Sequence, residues 1–255
     1  MRHLFLIFFF AVFAVSLYAT DVSIVGTDTL QTSTYHTLEK ETGVRDFIIP
    51  SVFITYGALA QVIKPLQQLD AYVDIEVGKH FQRRSFDNYL QYVPVAAVYG
   101  LDLSGIKAKH NFRDRTFVVI TSHLIMGGGV QAVKMATSVE RPDGSNHHSF
   151  PSGHTATAFT GAHILFKEYR DVSPWIGIAG YATATTVGAM RILNRKHWLS
   201  DVMAGAGVGI LCAEIGYMLL PVFHRVIGVE ETKTNLAIAP VIGNNQYGLG
   251  VVCVF

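Results

Sequence analysis

Five or six apolar stretches of helical length, set apart by short charged connectors, dominate this chain and commit most of it to helix. Uncharged runs cover 47–63, 88–101, 116–133 and 172–190, and the run 202–223 carries only Glu214. Only 116–133 and 172–190 reach the roughly 18 residues that suit a membrane span. Asp102 and Glu214 are costly against lipid. Two organisations stay open: a multi-span membrane protein, or an apolar helical bundle seated at a membrane. With 50% hydrophobic and 15% charged residues, a disordered or fibrous chain is excluded. The net charge of +1 provides no global basic field for nucleic acid, so any anion must be met by a local cluster.

The ends of the chain differ from this body. Arg2 and His3 precede an unbroken apolar run over 4–15 and then Ser16, Leu17, Tyr18, Ala19 and Thr20, so 1–20 reads as a signal peptide or a signal anchor. Residues 21–46 form a polar lead-in, 47–233 the helical body, and 234–255 a tail. In that tail an apolar run from Leu236 to Ile242, the turn residues Gly243, Asn244 and Asn245, and a second run from Tyr247 to Phe255 predict a short β-hairpin. Two strands cannot close a membrane barrel. Cys212 and Cys253 form neither a disulfide framework nor a zinc set.

If the helices span, Lys107, Lys109, Arg113 and Arg115 in one connector and Lys167 and Arg170 in another mark the cytoplasmic side. The loops around 134–153 and 191–201 then face the envelope space. Were the signal, 47–63 and 88–106 all to cross, the parity would be wrong by one; at least one packs without spanning, or the whole bundle is exported. Gly205, Gly209 and the triple Gly127–Gly129 sit inside helical runs, where they point to close helix packing. The Gly205, Gly207, Gly209 series follows no strand, which weakens a nucleotide-binding reading.

The chemistry concentrates in three short blocks at helix junctions. Lys134 is followed after six residues by Arg141 and Pro142; Pro151, Ser152, Gly153 and His154 open a helix; Arg191 is followed after five residues by His197 and after three more by Asp201. Ser152 stands at a capping position, where the free N–H groups and the positive dipole end bind anions. Alone, that is ordinary capping. Lys134, Arg141 and Arg191 are each explained singly as snorkelling or solvated charges; together they match a cage for phosphoryl oxygens, with guanidinium forks and a lysine point charge. His197 and Asp201, four apart, would share one helix face, and a carboxylate on one ring nitrogen leaves the other free as a nucleophile. His154 suits proton donation to a leaving oxygen. His147 and His148 invite a metal reading, but three or four convergent ligands are lacking and the neighbouring cations would repel a metal ion.

These blocks resemble the type-2 phosphatidic acid phosphatase superfamily, which shares its fold with bacterial class A acid phosphatases and vanadium haloperoxidases. The resemblance covers about residues 86–223 and departs at one position, Met190, where the family usually has Ser. It implies an all-α, six-helix bundle with the site at one end, here followed by a short C-terminal β-hairpin-like tail. It further implies that His197 attacks phosphorus and forms a phosphohistidine, Asp201 orients it, and His154 protonates the leaving group and then activates water. Lys134, Arg141, Ser152, Gly153 and Arg191 would hold the oxygens, with no metal and no cofactor. The expected substrate is a lipid-linked phosphate or diphosphate met at the membrane, such as an isoprenyl diphosphate, lipid A or a phospholipid. The expected location is a bacterial inner membrane with a periplasm-facing site, or a membrane-associated periplasmic position. A soluble exported acid phosphatase and a non-enzymatic membrane scaffold are the competing readings; nothing in the chain points to nucleic acid or to an obligatory protein partner.

Overall fold

The computed structural model describes residues 42–80, 85–227, 235–243 and 246–254. The signal or anchor over 1–20, most of the lead-in and the turn at Asn244 and Asn245 lie outside them. A 3-10 turn, Val44–Phe47, leads into α1 (Ile48–Ala60), followed by α2 (Lys64–His80), α3 (Asp87–Leu90), α4 (Val93–Leu103), α5 (Phe112–Thr137), α6 (Gly153–Tyr169), α7 (Pro174–Leu193) and α8 (Leu199–Val226). The expected count of six helices is therefore corrected to eight among the described residues. Two helices escaped the apolar pattern for physical reasons. α2 is amphipathic at best, with Gln67, Gln68, Asp70, Asp74 and Glu76 interrupting its apolar positions, and α3 is a single turn.

The chain divides into a unit over Met1–Met218 and a second over Leu219–Phe255. The second holds the end of α8 and two antiparallel strands, Asn235–Gly243 and Gln246–Val254, in register from Asn235 opposite Val254 to Gly243 opposite Gln246. The first holds the helical core: Val98, Val118, Ala156, Ala162, Ile164, Ala184, Val187, Ala206 and Ala213 are all buried. Small residues let the helices approach closely. A methyl added at Gly205 would stand 2.5 Å from the Ser152 carbonyl oxygen, and one at Gly209 2.5 Å from the Ala156 carbonyl oxygen, so α8 lies directly against α6. The same expectation fails for Gly127, Gly128 and Gly129, where an added methyl meets nothing within 4 Å. That stretch of α5 faces outward between Leu124, which is exposed, and the buried Val130.

Among the described residues, two helices are long and apolar enough to cross a membrane, α5 and α8; the pair 44–60 and 64–76, bent by 92°, would be a third if read as one broken span. Of the two runs expected to suit a span, 116–133 lies in α5 and qualifies, whereas 172–190 forms α7 and does not. The sequence of α7 is rich in Gly, Ala and Thr, which pack well but lower its hydropathy. The charges judged costly against lipid are paired. Asp102 Oδ2 accepts from Arg115 Nη2 at 2.8 Å. Glu214, buried in α8, contacts His163 Nε2 at 2.5 Å and accepts from Lys167 Nζ and the Thr42 hydroxyl at 2.7 Å each. In low dielectric such a network holds only when every member is satisfied.

Candidate active site

All three sequence blocks meet at the end of the bundle where α6 and α8 begin. α5 ends at Thr137, and Ser138 turns the chain out through a left-handed conformation (φ 48°). α7 ends at Leu193, after which Arg195 (φ 54°) makes the tight reversal that returns His197 toward Arg191. Direct hydrogen bonds tie the blocks pairwise. Lys134 Nζ donates to the carbonyls of His148 (2.7 Å) and Ser149 (3.1 Å). The Trp198 indole N–H donates to the Glu140 carbonyl at 2.8 Å. The Ser152 N–H donates to the Asp201 carbonyl at 3.0 Å.

His197 is only 2% exposed. Its Nδ1 stands 3.5 Å from Asp201 Oδ2 and 3.5 Å from Ser149 Oγ, which leaves Nε2 without a hydrogen bond among the described residues. The pairing is not made across a helix face, as the four-residue spacing suggested, because α8 starts at Leu199 and His197 precedes it. Asp201 instead occupies the first helical turn and reaches back to accept from the Trp198 N–H at 2.9 Å, while the Ser149 hydroxyl donates to the same Oδ2. Burial, then the charges of Lys134, Arg191 and Arg141, hold the His197 imidazole well below its ordinary pKa. It is neutral at physiological pH, with a lone pair to offer.

Around that ring stands a set of underused cations. Arg191 Nη1 donates to Asp87 Oδ2 at 2.8 Å, and Asn194 Nδ2 to Asp87 Oδ1 at 3.3 Å. The Nε atoms of Arg141 and Arg191 are buried with no hydrogen-bond partner among the described residues, and so is Asp201 Oδ1. Burial and the nearby Arg191 both lower the pKa of Arg141. Two guanidinium groups close together, with buried donors unmet, are costly unless an anion fills the space between them.

Ser152 caps α6: its side chain accepts from the Thr155 N–H at 3.5 Å and from the Thr155 hydroxyl at 2.9 Å. An added methyl at Gly153 would meet only Val130, at an ordinary 3.7 Å, so internal packing does not demand glycine there. His154, on the first turn of α6, is half-buried, and its Nε2 lies 2.9 Å from Asn88 Oδ1. Burial and then Arg191 push its pKa down to about 4, partly opposed by Asp87.

The structure thus brings together the residues of the three blocks: Lys134, Arg141, Ser152, Gly153, His154, Arg191, His197 and Asp201. His147 and His148 lie exposed on the intervening loop. No group of three or more His, Cys, Asp or Glu able to hold a metal ion occurs among the described residues. Sequence reasoning missed three participants, Asp87, Asn88 and Ser149. Ser149 stands only two residues before the second block; Asp87 and Asn88 carried no local signal, since their partners lie 104 and 66 residues away.

Residues 113–224 match the sequence profile of the PAP2 superfamily, which takes in α5 to α8 and every block. The chain carries this PAP2 match over a little under half of its length. It is 41% identical over 140 residues to the lipid A 1-phosphatase of Porphyromonas gingivalis, an alignment covering 54% of this chain and 32% of that protein. The chain thus spans about a third of the length of this curated relative. It also resembles two solved structures, each with a TM-score of 0.42: Aquifex aeolicus LpxE, at 21% identity over 66% of this chain and 93% of that one, and the first transmembrane PAP2-type phosphatidylglycerolphosphate phosphatase from Bacillus subtilis, at 17% identity over 72% and 99%.

Proposed function

We propose that this chain is a phosphatase that removes phosphate from a lipid-linked phosphate monoester or diphosphate through a phosphohistidine on His197. The observation that carries this reading is the buried neutral imidazole close to two arginines whose buried Nε donors have no partner among the described residues. Lys134, Arg141 and Arg191 would bind the phosphoryl oxygens, joined by the Ser152 hydroxyl and the Gly153 N–H at the α6 N-terminus. As charge builds on those oxygens, prearranged cations stabilise the transition state more than the ground state. The His197 Nε2 lone pair forms the N–P bond as the P–O bond to the leaving group breaks, and His154 gives that oxygen a proton. Water then attacks the phosphohistidine, yields its proton to His154, and inorganic phosphate departs.

The lipid character of the substrate is supported by the apolar helices α5 and α8 and by the lipid A 1-phosphatase relative. Lipid A, an isoprenyl diphosphate and a phospholipid are the candidates. The exposed connector charges Lys107, Lys109, Arg113 and Arg170 support a site facing the envelope space, with 1–20 acting as the export signal or anchor; Arg115 and Lys167, buried in ion pairs, do not bear on it. The helical body over 47–233 would carry the chemistry, with 234–255 as an appended tail. Phosphate release from each lipid class, measured with purified wild type and His197→Ala, tests the reading. Release by the wild type that His197→Ala abolishes is expected; equal release by both rejects the assigned nucleophile.

A further inference from the structure

The one-turn helix α3 lies before the stretch that matches the family profile, yet it contributes two neighbouring side chains to the site. Asp87 is fully buried against Arg191. Asn88 is exposed and holds His154 Nε2 at 2.9 Å. An exposed hydrogen bond adds little stability, so its consequence is orientation. With Nε2 engaged by a carbonyl oxygen, the ring keeps its proton there, and Nδ1, which has no hydrogen bond among the described residues, is the other working nitrogen. The two imidazoles therefore have different partners: His197 has a carboxylate and a serine, and His154 a neutral amide. A carboxylate raises the basicity of a nucleophile; an amide fixes a ring without making it too basic to release a proton.

We propose that Asn88 is the positioning residue for His154, holding its Nε2–H so that Nδ1 delivers a proton to the leaving oxygen and later accepts one from water. This rests on the phosphatase reading. In the first step the Nδ1–H bond breaks as the leaving alcohol gains its O–H bond. In the second, a water O–H breaks, its proton returns to Nδ1, and the hydroxyl oxygen bonds to phosphorus as the His197 Nε2–P bond breaks and returns its electron pair to the imidazole. Throughout, Nε2–H stays on the Asn88 carbonyl.

The test compares kcat/KM for two phosphate monoesters, because that quantity reports formation of the phosphoenzyme. An alkyl phosphate needs its leaving oxygen protonated, whereas p-nitrophenyl phosphate has a leaving group that needs little help. Asn88→Leu is expected to slow the alkyl ester about tenfold more than the aryl ester. Because both rates come from one preparation, their ratio is insensitive to how much of the variant folds. Asn88→Asp, which can also accept from Nε2–H, should restore the alkyl rate and move the pH limb assigned to His154 upward, since a carboxylate favours the imidazolium. Equal slowing of both esters by Asn88→Leu, or an Asn88→Asp variant no better than Asn88→Leu, overturns the proposal. A wild type that releases phosphate from neither ester nor any lipid overturns the phosphatase reading itself, and this proposal with it.

Discussion

Asp201 stands 3.5 Å from His197 Nδ1 by reaching back from the first turn of α8, and the same carboxylate oxygen accepts from Ser149 and from the Trp198 N–H. The carboxylate is thus held by groups on both sides of the site before any substrate arrives. Asp201→Asn can keep one of these bonds but can present an N–H to the ring and favour the wrong tautomer. Its kcat should fall on the order of 10³- to 10⁴-fold, by analogy with other carboxylate–histidine pairs, with little change in melting temperature. Steady-state kinetics beside a thermal melt checks this; a loss under tenfold would mean that Asp201 does not orient the nucleophile.

The two arginines of the cage should separate in their effects. Arg191 is buried in an ion pair with Asp87, whereas no carboxylate lies within ion-pair distance of Arg141 among the described residues. Arg191→Ala leaves Asp87 buried without its cation and should cost about 3–5 kcal/mol of stability as well as activity. Arg141→Ala should lower kcat/KM by about 10²-fold with the melting temperature nearly unchanged. Chemical denaturation in detergent of both variants reads the contrast, and equal destabilisation would count against it.

The depressed pKa of His154 has a consequence for oxyanion binding. Burial and Arg191 hold it at about 4 in the ligand-free protein, and a bound dianion must favour the imidazolium and raise that value. Binding therefore takes up a proton between the two pKa values, and affinity should fall as pH rises through that window. Titration with tungstate, an oxyanion of constant charge above mildly acidic pH, should show the slope in wild type and a shallower one in His154→Ala, where Asp201, raised by burial to about 6, and Lys134, lowered by burial to about 8, still titrate. A flat profile in the wild type would contradict the assignment.

The buried network at Glu214 makes the opposite prediction, for stability without chemistry. Glu214 lies thirteen residues after Asp201, about 20 Å along α8, and contacts His163, Lys167 and Thr42. Glu214→Ala strands a buried lysine and should cost about 3–5 kcal/mol. Turnover per folded molecule should stay within about twofold of wild type. Melting and activity measured on one preparation test this pair of expectations; a large loss of turnover in folded protein would tie the network to the site.

The site was legible in the sequence wherever spacing along the chain carries the geometry. Six residues between Lys134 and Arg141, the Ser152 cap and the five-residue gap before His197 each describe a local turn, and the structure closes each of them. Partners supplied by a distant helix were not legible. Nothing beside Asp87 or Asn88 announces that α3 will fold back over α7 and the start of α6. Glycine proved an ambiguous signal: Gly205 and Gly209 mark close contact with α6, while Gly127 to Gly129 face open space. Composition alone cannot say which face of a helix a glycine lies on. The helix count erred for a related reason, because α2 is too polar and α3 too short to register as apolar runs.

The proposed reaction turns on a covalent bond between the His197 imidazole and phosphorus. Rapid alkaline quenching during turnover, followed by mass spectrometry of the digested protein, tests it most directly, because phosphohistidine survives alkali. A phosphoryl group is expected on His197, more abundant in His154→Ala turning over p-nitrophenyl phosphate, whose leaving group needs little protonation while water activation is slowed, and none in His197→Ala. Turnover with no phosphoenzyme at any time point, or a phosphoryl group on another residue, would contradict it.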